Sequence, residues 1–161
     1  MKCKAQNEVS ITLPSLSANE GTARSFAGIF LSQMNPTVEE LADVKCAVSE
    51  AVTNCIVHAY KNTLGEIHMT MKQLPDRVFR VEIRDRGVGI PDISAAMEPL
   101  FTTDPEDERS GMGFSIMESF MDTLSVRSTP SKGTKLVMTK RLSPIRRRTL
   151  HGADAPDAAQ A

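Results

Sequence analysis

Ile83-Arg84-Asp85-Arg86-Gly87-Val88-Gly89-Ile90 is the stretch on which the reading of this 161-residue sequence turns. The alternation from Arg77 to Arg84 reads as a strand, and that strand runs into a carboxylate and two glycines one residue apart. Glycines there permit positive φ and let backbone approach a flat ligand closely. A carboxylate at a strand end can accept hydrogen bonds from an exocyclic amine such as that of adenine. A strand followed by a tight turn accounts for the same letters, so this stretch alone leaves both readings open.

Upstream, Glu66 to Gln73 alternates as a partner strand, with Pro75-Asp76 as the hairpin signal between the two. Before it comes a long helix capped by Thr37, with Glu39 and Glu40 in the first turn where the helix dipole favours acids. Its core stripe is Leu41, Val44, Val48, Val52, Cys55 and Ala59, and its end is expected near Lys61-Asn62. Asn35-Pro36 separates it from an earlier helix, opened by the Ser-x-x-Glu spacing of Ser17-Ala18-Asn19-Glu20 and running to about Met34. Glu8 to Leu13 alternates as a first strand stopped by Pro14.

Downstream, Asp85 to Arg109 is mostly polar, holds Pro91, Pro99 and Pro105, and reads as a long loop with one short helix. Gly113 to Met121 reads as a third long helix. Leu124 to Ser128 and Thr134 to Arg141 read as closing strands around Pro130-Ser131-Lys132-Gly133. The order β-α-α-β-β-loop-α-β-β predicts an α+β sandwich, with helices packed on one face of a mixed, mainly antiparallel sheet. The folded body is expected over 1–142. Residues 143–161, basic and then rich in Ala, Asp and Pro, are expected to be a disordered tail.

Composition narrows the function classes. Hydrophobic residues are 40% and charged residues 24%, as in a soluble globular domain. No apolar run is long enough to span a bilayer, and the first residues lack a secretory apolar core, so a cytoplasmic protein without membrane contact is expected. The three cysteines include no CxxC pair. Cys46 and Cys55, nine apart on one helix, face opposite ways and cannot pair. The net charge of −1 conceals an asymmetry: residues 123–153 carry eight basic residues and no acidic one. Without aromatic residues interleaved among them, that segment does not read as a nucleic-acid surface.

The chemistry lies in four places. Glu50 and Asn54 are four apart on one helix face, where an amide oxygen can ligate Mg²⁺ and a carboxylate can take a proton from a hydroxyl. Asp85 with Gly87 and Gly89 forms the second. The third is Ser110-Gly111-Met112-Gly113-Phe114, a glycine-rich helix start whose free N–H groups suit phosphate. Thr103 and Arg109 precede it in a loop able to close as a lid. Gly133-Thr134 opens the last strand, where a threonine hydroxyl could support a base. Each pattern alone also fits ordinary structure.

In this fixed order the motifs resemble the GHKL (Bergerat) ATP-binding fold shared by gyrase, MutL and histidine kinases. Glu50-Ala51-Val52-Thr53-Asn54 with His58-Ala59-Tyr60 is similar to that family's N box. Asp85-Arg86-Gly87-Val88-Gly89 and Gly111-Met112-Gly113 resemble its two glycine boxes, and Gly133-Thr134 its terminal threonine. Ser49 to Asn54 and the lid from Glu98 to Thr103 narrow the resemblance to the sporulation anti-sigma-F family of serine kinases. That resemblance implies ATP and Mg²⁺ as cofactors, with Glu50 as general base and Asn54 holding Mg²⁺. Asp85 would read the adenine amine with support from Thr134. Gly87 and Gly89 would shape the nucleotide wall, and Thr103, Arg109, Ser110, Gly111 and Gly113 would face the phosphates. It also implies a homodimer that holds an RNA polymerase sigma factor inactive and phosphorylates a serine of its anti-anti-sigma antagonist, with Arg24 contacting both partners. A kinase of a general stress-response switch and a non-catalytic ATP-dependent sigma-binding module are the alternatives.

Overall fold

The computed structural model describes residues 4–98 and 112–145. Five strands, β1 (Asn7–Pro14), β2 (Glu66–Leu74), β3 (Val78–Arg84), β4 (Thr123–Thr129) and β5 (Gly133–Arg141), form one sheet in the order β1-β2-β3-β5-β4. Every pairing in it is antiparallel. The expected mixture therefore gives way to a purely antiparallel sheet among the described residues. The tight turn between β2 and β3 allows no parallel alternative there, with Asp76 and Arg77 both left-handed at φ 57° and 58°.

Three helices cover one face: α1 (Ala18–Ser32), α2 (Val38–Asn54) and α4 (Gly113–Phe120), with the short α3 (Ile93–Ala96) in the loop after β3. The period-2 pattern of the strands sends Ile67, Met69, Met71, Phe79, Val81, Ile83, Leu136 and Met138 into the core. The helices answer with Ala27, Phe30 and Leu31 from α1, Val44, Val48, Ala51 and Val52 from α2, and Met117 from α4. Phe30 and Phe79 meet with ring centroids 6.3 Å apart and planes tilted by 54°. Methionines supply much of the sheet's centre, where their unbranched chains fill irregular gaps. On the opposite face one row of side chains crosses all five strands as Thr12, His68, Arg84, Lys135 and Arg127. Lys135 is paired 2.5 Å from Glu82. Among the described residues no helix is long and apolar enough to cross a membrane.

Two local expectations are overturned. Ser17 precedes α1, but its backbone is already helical and its side chain makes no cap bond, so the Ser17–Glu20 capping box does not form. Nor does α2 continue as an α-helix to Lys61-Asn62. From Cys55 to Ala59 it widens into a π-helical turn closed by Tyr60 N–H on Cys55 O at 3.2 Å, and Lys61 leaves it at φ 44°. Such turns are frequent at functional sites. Ala59 O, at the end of this one, accepts from Val88 N at 2.9 Å and fastens the turn to the glycine loop after β3.

Candidate functional site

Two clusters lie along α2. The first stands at Glu50 and Asn54, which the i, i+4 spacing places on one half-buried face. The N-terminus of α4 comes up against that face. A Cβ built on Gly113 would lie 3.2 Å from Glu50 Oε2 and 3.4 Å from Asn54 Oδ1. A carboxylate, an amide oxygen and the free N–H groups of a helix start thus share one small space. Burial pushes the Glu50 carboxyl above its usual range, and the negative charge of Glu20 on α1 adds to that. A carboxylate in that state is a better proton acceptor than one in open water.

The second cluster is built on Asp85, just past the end of β3 and only 3% exposed. Its Oδ1 accepts from Gly87 N at 2.9 Å and from Thr134 N at 3.2 Å. Its Oδ2 accepts a weaker bond from the Cys55 thiol at 3.7 Å. Burial raises the Asp85 carboxyl, and these bonds pull against that rise without cancelling it. Burial and the neighbouring Asp85 both push Cys55 well above its ordinary value, so it stays a thiol and a donor. With Oδ1 saturated by backbone, Oδ2 is the oxygen left to face an incoming amine.

The glycine loop is held between α2 and the β4–β5 turn. A side chain at Gly87 would sit 2.2 Å from Ala59 O, so glycine is needed for the close approach. Gly89 turns the chain at φ 74°, and Ser131 N donates to Val88 O at 2.7 Å. Thr134 acts through its backbone: its N–H holds Asp85, while its hydroxyl lies 2.8 Å from that of Ser128. A cavity of about 510 Å³ touches Asp85 and Thr134, but its walls include Arg84, Lys135 and Arg127 of the face opposite the helices, and neither Glu50 nor Asn54 lines it. Arg24 lies on α1, its guanidinium 3.8 Å from Glu20 and its side chain 48% exposed.

Sequence reasoning passed over several supports. Tyr60 OH donates to Glu66 O at 2.6 Å and accepts from Arg86 N at 2.9 Å, so it clamps the approach to the glycine loop. The sequence placed Tyr60 within the N-box resemblance but gave it no role of its own. Cys55 on Asp85, and Glu20 on Ser49, left no signal at all. Thr103, Arg109, Ser110 and Gly111 lie outside the described residues.

The residues present fit ATP and Mg²⁺. The close-approach glycine and the Asp85 oxygen that no backbone group bonds suit a flat purine carrying an amine. An amide oxygen beside a carboxylate suits a hard cation that takes most of its other ligands from phosphates and water. Among the described residues no group of three or more His, Cys, Asp or Glu forms a metal cage.

Comparison with known proteins places this arrangement. Residues 13–140 match the family described as the histidine kinase-like ATPase domain. The chain is 50% identical over 139 residues to the anti-sigma F factor of Bacillus licheniformis, covering 86% of this chain and 94% of that protein. It is 51% identical over 134 residues to the anti-sigma F factor of Caldanaerobacter subterraneus, and 48% identical over 139 residues to that of Bacillus subtilis. These cover 83% and 86% of this chain and 93% and 94% of the relatives. Among solved structures, the RsbU and RsbW domains of a Mycobacterium tuberculosis protein superpose with a TM-score of 0.63 at 20% identity, covering 88% of this chain and 34% of that one. The mycobacterial sensor histidine kinase MprB superposes with a TM-score of 0.53 at 15% identity, over 85% of this chain and all of that one. The structural likenesses show the fold, a GHKL α+β sandwich. The chain belongs to the histidine kinase-like ATPase domains and, within them, to the anti-sigma F factor family.

Proposed function

We propose that the protein is an ATP-dependent protein-serine kinase and anti-sigma factor, acting on a sporulation sigma factor and on its anti-anti-sigma antagonist. The observation that carries this reading is the meeting of Glu50 and Asn54 with the start of α4 at Gly113. In the proposed reaction the antagonist's serine oxygen bonds to the γ-phosphorus of ATP while the bond from that phosphorus to the bridging oxygen of ADP breaks. The serine proton passes to the Glu50 carboxylate. Asp85 Oδ2 accepts the adenine amine and fixes the nucleotide's depth. Asn54 would hold Mg²⁺, which neutralises phosphate charge when bound. The N–H groups at the start of α4 receive the phosphates, together with Thr103, Arg109, Ser110 and Gly111, which the family resemblance carries there. Phosphoryl transfer asks chiefly for positioning and charge stabilisation, and these parts supply both.

Partner capture belongs to α1. Phe26 and Ile29 stand exposed along it, Ile29 at 66%, with Arg24 on the same helix. Apolar side chains offered to water beside a cation suit a protein partner. The sigma factor and the anti-anti-sigma antagonist are the partners proposed for that surface, Arg24 contacting both, with the protein a homodimer in a cytoplasmic setting.

The test mixes the protein, Mg²⁺ and γ-labelled ATP with the antagonist. Label should appear on a serine, and Glu50→Gln should slow transfer by about 10²- to 10⁴-fold while ATP binding stays close to that of the wild type. Phosphorylation at an undiminished rate in Glu50→Gln would remove Glu50 as the base. Tight ATP binding with no label at all would turn the reading into a nucleotide-dependent binding module.

A further inference from the structure

Cys55 is a buried free thiol that the phosphotransfer steps above leave unused. It opens the π-helical turn and is only 3% exposed. A free cysteine in such a place commonly serves as a small apolar filler with a weak S–H donor. Here the donor has a defined target, Oδ2 of Asp85, 3.7 Å away.

The end of α2 grips the stretch after β3 at three points. Cys55 Sγ reaches Asp85, Tyr60 OH accepts from Arg86 N at 2.9 Å, and Ala59 O accepts from Val88 N at 2.9 Å. From the other side β5 closes in: a side chain at Gly133 would sit 2.2 Å from Asp85 O. The bonds from Gly87 N and Thr134 N pin Oδ1 but leave the carboxylate plane able to tilt about that oxygen. Among the described residues the Cys55 thiol is the only donor that holds Oδ2. A carboxylate oxygen has about two lone-pair positions. Cys55 fills one on Oδ2 and leaves one for a ligand.

We propose that Cys55 is a specificity-determining positioning residue of the nucleotide site: its thiol fixes Asp85 Oδ2 so that a single acceptor position faces the base, which selects a 6-aminopurine over a 6-oxopurine. This rests on the reading of Asp85 as acceptor of the adenine amine and adds the residue that aims it. An amine at the 6-position donates to that oxygen. A carbonyl there sets two acceptors against each other in a buried place, and neither finds a partner. A carboxylate free to tilt would turn Oδ2 away from such a carbonyl, and discrimination would fall.

The test measures binding of ADP and of inosine diphosphate, whose base carries an oxygen in place of the amine, by calorimetry. The wild-type protein should favour ADP by about tenfold or more. In Cys55→Ala that ratio should fall about two- to fivefold, and Cys55→Ser, which supplies a donor again, should recover it. Lost packing weakens both nucleotides alike, so an unchanged ratio in Cys55→Ala overturns the proposal. A ratio in Cys55→Ser as low as that in Cys55→Ala overturns it too. Equal binding of the two nucleotides by the wild-type protein would instead remove Asp85 as reader of the amine, and the role of Cys55 with it.

A second measurement leaves Cys55 in place and does not depend on whether its variants fold. In the double variant Cys3→Ser, Cys46→Ser, the remaining infrared S–H stretch belongs to Cys55. It should move to higher frequency when ADP is added, because the adenine amine draws on the same oxygen, and should move less with inosine diphosphate. A stretch indifferent to ADP, in protein shown to bind it, overturns the proposal.

Discussion

The two long helices begin on the same pattern and start differently. Ser17-Ala18-Asn19-Glu20 and Thr37-Val38-Glu39-Glu40 each place a hydroxyl three residues before a glutamate. At Thr37 the backbone is extended, with ψ 166°, and the box closes: Glu40 N donates to Thr37 Oγ1 at 3.1 Å and Thr37 N to Glu40 Oε2 at 2.8 Å. At Ser17, ψ is −35°. The chain leaves β1 already wound, with Asn19 N on Leu16 O at 2.9 Å and Glu20 N on Ser17 O at 3.2 Å. The N–H groups that a cap would satisfy are already bonded to backbone, so Ser17 has nothing to cap. The lesson concerns the two glutamates. Glu40 is spent on the fold, where its second oxygen accepts from Ser143 N at 2.6 Å and fastens the chain after β5. Glu20 is left to accept from Ser49 across on α2.

The sharpest way to break this comparison is to remove each carboxylate and measure stability by urea unfolding. Glu40→Ala removes the acceptor of two N–H groups, those of Thr37 and Ser143, and should cost about 1.5–3 kcal/mol, while the phosphotransfer rate per folded molecule stays unchanged. Glu20→Ala should cost less than ~1 kcal/mol. Equal losses would erase the distinction between a glutamate that bonds two backbone N–H groups and one that reaches a side chain on a neighbouring helix.

Acid sharpens it next. Burial opposes the charge of Glu40, but the bonds from Ser143 and Thr37 and the field of Arg77 outweigh it and hold its pKa below the ordinary 4.5. A carboxyl whose folded pKa is lowered stabilises above its unfolded value, and that contribution fades as pH falls through the folded one. The stability gap between the wild-type protein and Glu40→Gln should therefore be full at neutral pH and shrink progressively below about pH 4.5. A gap independent of pH from 6 to 3, with both proteins still folded, would contradict the assignment.

The smallest effects separate the two hydroxyls. Thr37→Ala should cost about 1 kcal/mol, whereas Ser17→Ala should change stability by less than ~0.5 kcal/mol. A cost at Ser17 matching that at Thr37 would mean that α1 is capped in solution after all.

Legibility followed the range of the interactions involved. The strands around Asp85 were readable because alternation over seven or eight residues is a local signature of a half-covered sheet. Pro75-Asp76 announced its turn for the same reason, and Glu50 with Asn54 needed only helical spacing to share a face. The π-helical turn at Cys55–Ala59 was not readable, because a continuous apolar stripe describes an α-helix equally well. Its end is bonded to Val88, 29 residues beyond Ala59, whose N–H takes the Ala59 carbonyl. Thr134 was read as a hydroxyl beside a base, but its backbone N–H does the work at Asp85 while its hydroxyl is held by Ser128.

From the sequence alone came the element order, the helical face of Glu50 and Asn54, and the strand-end placement of Asp85 before two glycines. All depend on contacts within a few residues, where side-chain period and turn chemistry dominate. Tertiary structure alone decided that Glu20 reaches Ser49 and not the start of its own helix, that Cys55 donates to Asp85, and that Gly113 lies against Glu50. Those partners stand 29, 30 and 63 residues apart in the chain. They meet only because helix packing on a common sheet brings them together, and no local preference encodes such a meeting.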